Sequence, residues 1–326
     1  MFYSDIDCLR EQINKLGALH RKFIFIIDYE LSEGYIMEAP LNQKSVLFDI
    51  VGCGSNVKYD ADEGTDVDWE VFGVSREEYI GKFNTVMQGL KRGDSFLVNL
   101  TMKTRVKTNL SLTDIFYRSN ARYKLCIPDR FVCFSPERFV KIEDGIIFTN
   151  PMKGTIDASI PNAEEEILND FKETAEHNTI VDLLRNDLSM VSSNVRVDRF
   201  RYIDKIKTGN KNLLQVSSQI SGRLNPGYCD HIGDIIIGML PAGSICGAPK
   251  AATVRLIHEA EKEPRGFYTG VFGFFDGKVL DSAVMIRYIE KQGDVLYYRS
   301  GGGITAYSNC DAEYNEMLDK IYLPFV

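Results

Sequence analysis

The sequence predicts an α+β fold with mostly antiparallel sheets. Two observations carry this. Short apolar or alternating runs are joined by tight Asp-Gly and Gln-Gly turns, and long helical stretches lie between blocks of such runs. A third observation, the lack of any internal repeat, low-complexity tract or sharp composition break, argues against a repeat array or a visible domain boundary.

Residues 21 to 57 read as short strands, FIFIIDY, GYIME and SVLFDIVG, with polar turns between them. The acidic segment KYDADEGTDVD, 58 to 68, reads as a surface loop. Ser75 with Glu78 makes a capping box, opening a helix that buries Tyr79, Phe83, Met87 and Leu90 and stops at Gly93. SFLVNLTM is a strand, and a short helix follows near 112 to 118. YKLCI and FVCFS lead into the hairpin RFVKIEDGIIF, turning at Asp144-Gly145. Its second strand runs into NPMKGTID, and one acidic helix is expected over 163 to 190. A strand near 195 to 199 and another at LLQVSSQISGRL precede a helix at 230 to 239. PAGSICGAPK is a small-residue loop opening the helix 250 to 262. A meander of GFYTGVFGFF, KVLDSAVMIRYIE and DVLYYRSGGGI is expected next, turning at Asp276-Gly277 and Gln292-Gly293, and a helix bearing Glu313 follows it.

With 44% apolar and 26% charged residues the 326-residue chain reads as globular, with enough length for a large core. A net charge of -8 argues against nucleic acid or an anionic membrane as partner. A small anionic ligand would need a local cation to offset that field. MFYSDIDCLREQ lacks a basic region followed by an apolar run, and FIFII falls far short of a membrane span. Seven scattered cysteines without a Cys-x-x-Cys pair fit reduced thiols, hence a cytoplasmic location, better than disulfides or zinc.

The stretch KETAEHNTIVDLLRND places Glu173, Glu176, His177 and Ile180 on one helix face. Glu313 and Glu316 repeat the acidic spacing near the C-terminus, with Lys320 one turn on. Four carboxylates on two helices could cage a hard divalent cation, or could be two solvated helix faces. Lys153, in PMKGT, is a nucleophile or base if apolar burial takes its proton, and otherwise a surface lysine beside a turn. Glu137 precedes the other strand of the same hairpin, so the Asp144-Gly145 turn could bring it near Lys153 as an acid. It could equally be an ordinary cross-strand partner. GSICGAPK lacks the spacing of a phosphate loop but can aim N–H groups at an anion. Gly301, Gly302 and Gly303 allow a close approach or a bulged strand end. Arg287 interrupts an apolar run, as an edge residue or a carboxylate binder, with Tyr268 on the neighbouring strand. No HExxH, GxSxG, GxGxxG or Ser-His-Asp order appears, which leaves out zinc proteases, serine hydrolases and dinucleotide enzymes.

PMKGT, KETAEHNTIVDLLRNDL, GSICGAPK, GFYTGVFGFFDG, AVMIR and GGGI followed by AEYNEMLDK occur in the order found in chorismate-utilising enzymes. From about residue 93 onward the chain resembles that family, and most of all its aminodeoxychorismate synthase branch. The resemblance implies two stacked, mostly antiparallel sheets surrounded by helices, forming one chorismate-binding domain over 1–326. In that domain 1–70 is a shortened N-terminal part and 71–326 the catalytic core. It implies that Glu173, Glu176, Glu313 and Glu316 hold Mg²⁺, directly or through water. Tyr268, Arg287, Gly301 to Gly303, Lys320 and Thr155 would contact substrate. The loop Gly243, Ser244, Cys246 and Gly247 would lie against the ring and enolpyruvyl arm. Lys153 would add at C2 while Glu137 protonates the departing C4 hydroxyl, and ammonia would then add at C4 and expel the lysine from C2.

The implied product is 4-amino-4-deoxychorismate, for p-aminobenzoate and folate synthesis, with ammonia from a glutamine amidotransferase subunit. Leu97, Gln215 and Cys246 depart from patterns common in the family, where a Lys or Gln, a His, and a Ser or Thr are usual. Leu97 cannot activate water, which weakens a water-using reaction. Anthranilate synthesis, with amination at C2 and loss of pyruvate, is the alternative within the family, and Lys153 argues against it. A non-catalytic chorismate-fold binding protein and an unrelated metal-dependent hydrolase are the alternatives outside it.

Overall fold

In the computed structural model, which describes residues 1–59, 66–208 and 211–325, the strands gather into two sheets. Every strand pairing among the described residues is antiparallel. The first sheet runs in the order Phe2–Tyr3, Gly34–Glu38, Phe23–Ile27, Val271–Phe275, Leu280–Val284, Arg138–Glu143, Ile146–Thr149 and Lys211–Arg223. Met152–Asp157 and Ser193–Thr208 both pair with Lys211–Arg223. The second sheet runs Gly247–Ala248, Leu97–Thr108, Val295–Ile304, Tyr288–Gln292, Phe131–Ser135, Tyr123–Ile127, Leu47–Ile50 and Gly54–Ser55. Most of the loop expected over 58 to 68 lies outside the described residues.

The run FIFII shows how the layers form. All five residues are buried, and alternate side chains point to opposite faces. Phe23, Phe25 and Ile27 join the helix-side core, whereas Ile24 and Ile26 meet Phe48, Phe131 and Phe272 between the sheets. Each such buried side chain contributes about 1.5–3 kcal/mol relative to exposure. The helices are α1 (Ile6–Ala18), α2 (Arg76–Arg92), α3 (Leu112–Arg118), α4 (Ala163–Asn169), α5 (Phe171–Val191), α6 (Ile232–Gly238), α7 (Lys250–Glu261) and α8 (Cys310–Asp319). Packing places α1, α5 and α6 on the first sheet's outer core, and α2, α3, α7 and α8 on the second's. No helix among the described residues is long and apolar enough to cross a membrane.

Several expectations hold closely. Ser75 caps α2 by accepting from the Glu78 N–H, and Gly93 ends the helix at φ +85°. The Glu78 carboxylate pairs with Lys82 instead, so only the Ser75 half of the expected box is present. The hairpin turns at Asp144-Gly145, both in the left-handed region, as a tight turn of this kind requires.

Three expectations are corrected. The acidic helix over 163 to 190 is two helices, because Asp170 is extended and its carboxylate caps α5 through the Glu173 N–H. The closing meander does not exist as one unit. Its middle run splits into Leu280–Val284 in the first sheet and Tyr288–Gln292 in the second. Arg287, at φ +54°, makes the turn between them, so it is not a mid-strand residue. Tyr268 lies in the turn before Val271–Phe275 rather than on that strand. Helix α1 was also missed, though Asp5 caps it and Leu9, Ile13 and Leu16 bury its inner face.

Lys124 gives the fold a pH dependence. Its buried amine donates to Ser119 O at 2.9 Å and Phe116 O at 3.2 Å, closing the end of α3. Burial pulls that amine from 10.5 down to about 8. Between those values the unfolded chain binds the extra proton, so stability rises with pH, by up to about 1.4 kcal/mol per unit. Urea midpoints of wild type and Lys124→Met should diverge over that window, since only the wild type carries this slope.

Candidate active site

The two sheets leave a cavity of about 480 Å³ between them, a size suited to one small ring compound. Strand Met152–Asp157 delivers Lys153, and its pairing shifts register at Gly154, φ +76°. This bulge has a steric use. A Cβ on Gly154 would stand 3.2 Å from Glu173 Oε2, so glycine lets that carboxylate come close beside Lys153. Helix α5 supplies Glu173 and Glu176, and α8 supplies Glu316 and, buried behind it, Glu313. Gly302 lies between: a Cβ there would be 3.6 Å from Lys320 Nζ, 3.7 Å from Glu313 Oε2 and 3.8 Å from Glu316 Oε1. The helices bearing the paired acids therefore open on one cavity.

Lys153 Nζ lies 2.7 Å from Glu176 Oε2. Burial pulls its amine down, but the charges of Glu176, Glu173 and Glu316 outweigh burial and the balance is upward. The expectation of a lysine neutralised by apolar neighbours is thus corrected, since its neighbours are carboxylates. Glu173 is pushed up by burial and by Glu176, Asp170 and Glu316. Its Oε2 is buried without a hydrogen-bond partner, which is what a carboxylate oxygen shaped for a cation looks like. Among the described residues no three acidic, His or Cys side chains converge as a ready-made cage. Lys153 and Lys320 stand among the acid pairs instead, and Lys320 Nζ donates to Glu316 and to Gly301 O, each at 2.8 Å.

Elsewhere on the lining Ser244 donates to Glu137. Burial raises the Glu137 carboxyl above its usual range, although Ser244, Arg287, Lys153 and Lys320 pull it back. A raised carboxyl on the lining of the same cavity as a cationic lysine is a natural proton donor. Arg287 is half-buried and its Nε donates to the Tyr322 hydroxyl at 3.4 Å, leaving much of its fork toward the cavity. Tyr268, Thr155, Cys246, Gly301, Gly302 and Gly303 also line the cavity. Gly243, Gly247 and Glu313 are not on its lining, and Gly243 instead packs against α5. His177 is buried and shares a hydrogen bond with Ser218 Oγ at 2.7 Å, tying α5 to the first sheet. The lining residues Asn99 and Arg299 were not picked out from the sequence. Arg299 carried the same signal as Arg287, a charge inside an apolar strand, and here Glu290 pairs with it at 3.0 Å.

The comparisons with known proteins agree with this geometry. Residues 23–324 match the family model described as chorismate binding enzyme. The chain is 48% identical over 320 residues to an uncharacterized PabA-like protein of Haemophilus influenzae, covering 96% of this chain and 95% of that one. It is 32% identical over 264 residues to aminodeoxychorismate synthase component 1 of Salmonella typhimurium, covering 76% of this chain but 57% of that relative. Among solved structures, MenF, the menaquinone-specific isochorismate synthase of Escherichia coli, superposes with a TM-score of 0.74 at 15% identity, over 98% of this chain and 82% of that one. Likeness at that identity speaks for the fold. Anthranilate synthase component I of Streptococcus pneumoniae superposes with a TM-score of 0.65 at 28% identity, over 78% and 59%. Two stacked antiparallel sheets, a cavity between them and a match along nearly the whole length make this chain a member of the chorismate binding enzyme family.

Proposed function

We propose that the chain aminates chorismate at C4 with ammonia, giving 4-amino-4-deoxychorismate. The observation that carries this reading is Lys153, which reaches into the cavity beside Glu176, with Glu137 on the same cavity's lining. In the reaction, Glu176 is the base within reach of the Lys153 proton. The freed amine adds at C2, the ring's two double bonds shift, and the C4–O bond breaks as Glu137 gives its proton to the leaving hydroxyl. Ammonia then adds at C4, the double bonds shift back, and the C2–N bond to Lys153 breaks. The enolpyruvyl group stays in place throughout.

Glu173, Glu176, Glu313 and Glu316 would hold Mg²⁺, and the ion would neutralise and orient a substrate carboxylate that an acidic protein otherwise repels. The orphaned Glu173 oxygen supports this assignment. Arg287, with its planar fork, and Lys320 would take the carboxylates. Leu97, on the lining, offers no base for water, which favours ammonia as the nucleophile. A glutamine amidotransferase is the partner that would supply it.

Incubation with chorismate, Mg²⁺ and ammonium should consume chorismate without releasing pyruvate until an aminodeoxychorismate lyase is added. EDTA should stop consumption and Mg²⁺ restore it. Prompt fluorescent anthranilate with pyruvate, in the absence of lyase, would overturn the assignment.

A further inference from the structure

Helix α5 carries its pocket glutamates near its start. Three turns further on, roughly 16 Å along the axis at 1.5 Å per residue, it carries an acid that the chemistry above leaves unused. Asp187 is 2% exposed. One of its oxygens lies 2.8 Å from Lys250 Nζ and the other accepts the Gly243 N–H at 3.1 Å. Lys250 Nζ also donates to Met239 O at 2.8 Å. One amine thus joins α5, the end of α6 and the start of α7.

The place of Lys250 breaks a local rule. It is the first residue of α7, where the helix dipole favours an acid and opposes a cation. A cation set there and largely out of water needs an anion, and Asp187 is that anion. Such departures from local preference gather where function requires them. Gly243 tells the same story sterically. A Cβ there would lie 2.7 Å from Asp187 Oδ2 and 2.9 Å from Leu183 Cγ, so only glycine lets the loop settle this close to α5. The next residue is Ser244, which donates to Glu137.

We propose that Asp187 is a positioning residue. With Lys250 and the Gly243 N–H it locks loop 242–248 onto α5, so that Ser244 and Glu137 stand in fixed register with Glu173 and Glu176. One rigid helix therefore sets the spacing between the acid and the carboxylates. This rests on reading Glu137 as the acid.

The test compares wild type, Asp187→Asn, Glu137→Gln and the double variant in chorismate consumption with Mg²⁺ and ammonium. A melting curve for each and a crystal structure of Asp187→Asn accompany it. Asparagine keeps an acceptor for Gly243 but removes the charge that holds Lys250. The expected result is a fall in kcat of about 10- to 100-fold, since misplacement on the order of 1 Å costs that much. KM for chorismate should change by less than about threefold, and the substitution should add less than about twofold to the loss in Glu137→Gln, as both act through one group. Ser244 should have left hydrogen-bond reach of Glu137 in the crystal. Gly243→Ala, which leaves both charges in place and lifts the loop sterically, should give the same pattern should Asp187→Asn fold poorly.

Equal losses on both backgrounds, or an unmoved Ser244–Glu137 contact in the crystal, would overturn the positioning role. A wild-type protein that consumes no chorismate defeats the functional reading instead. In that event the variant crystals alone decide whether Asp187 positions Ser244.

Discussion

Lys153→Ala should lose amination at C4 by at least about 10³-fold in kcat, equivalent to about 4 kcal/mol of transition-state stabilisation. The loss would belong to the chemical step, because in the proposed reaction the amine is the group that forms and breaks a bond to C2. Chorismate should still bind, since Arg287 and Lys320 remain on the lining to take its carboxylates. A second effect separates a covalent role from a merely electrostatic one. Lys153 is a counter-ion to Glu176 at 2.7 Å and its charge offsets Glu173. Removing it leaves the acids of α5 more negative, so Mg²⁺ should bind the alanine variant more tightly even as turnover disappears. Lys153→Arg keeps a cation there but no nucleophile. It should be as inactive as alanine while retaining wild-type Mg²⁺ affinity. Both quantities follow from Mg²⁺ titrations of chorismate consumption and of intrinsic fluorescence. Turnover at the wild-type rate in Lys153→Ala would remove the covalent step, and a switch to anthranilate would recast the lysine as a steric guard of C2.

How far these features were legible in the sequence differs by residue. The Asp144-Gly145 hairpin and the caps of α2 are local chemistry: a left-handed turn needs residues that accept it, and an N-cap needs a short oxygen side chain. The same turn brings the strand after Glu137 toward the strand of Lys153, so their shared cavity could be foreseen. The run AVMIRYI could not be divided from sequence, because both halves alternate as one strand would. Which sheet each half joins depends on partners far along the chain. The charge of Lys153 was hidden for a similar reason. Its sequence neighbours, Met152 and Gly154, are uncharged, while the carboxylates that hold its proton come from α5 and α8. The break at Asp170 and the helix at Ile6–Ala18 were within reach, since an N-cap and a helical apolar stripe mark each.

Arg265→Met should cost about 3–5 kcal/mol in urea unfolding, the range for stranding one member of a buried ion pair. Arg265 is 1% exposed. Its guanidinium donates to both Glu261 oxygens, at 2.9 and 2.7 Å, to Ile245 O at 2.9 Å and to Asn99 O at 2.7 Å. It also lies over the Tyr29 ring, 4.6 Å from the centroid. Glu261 in turn accepts from the Thr101 N–H and hydroxyl, at 2.8 and 2.9 Å. Methionine fills most of the volume, so the loss comes from the uncompensated Glu261 charge and the two orphaned carbonyls rather than from a cavity. That partition can be checked. Pairing Arg265→Met with Glu261→Gln removes the stranded charge and should recover a substantial part of the lost stability, whereas a packing defect would persist unchanged. Asn99 and Ile245 both line the cavity, and one guanidinium holds the backbone of each. Stability and turnover should therefore fall together in Arg265→Met. In the double variant the charge is relieved but the carbonyls still lack a donor, so stability should return further than kcat.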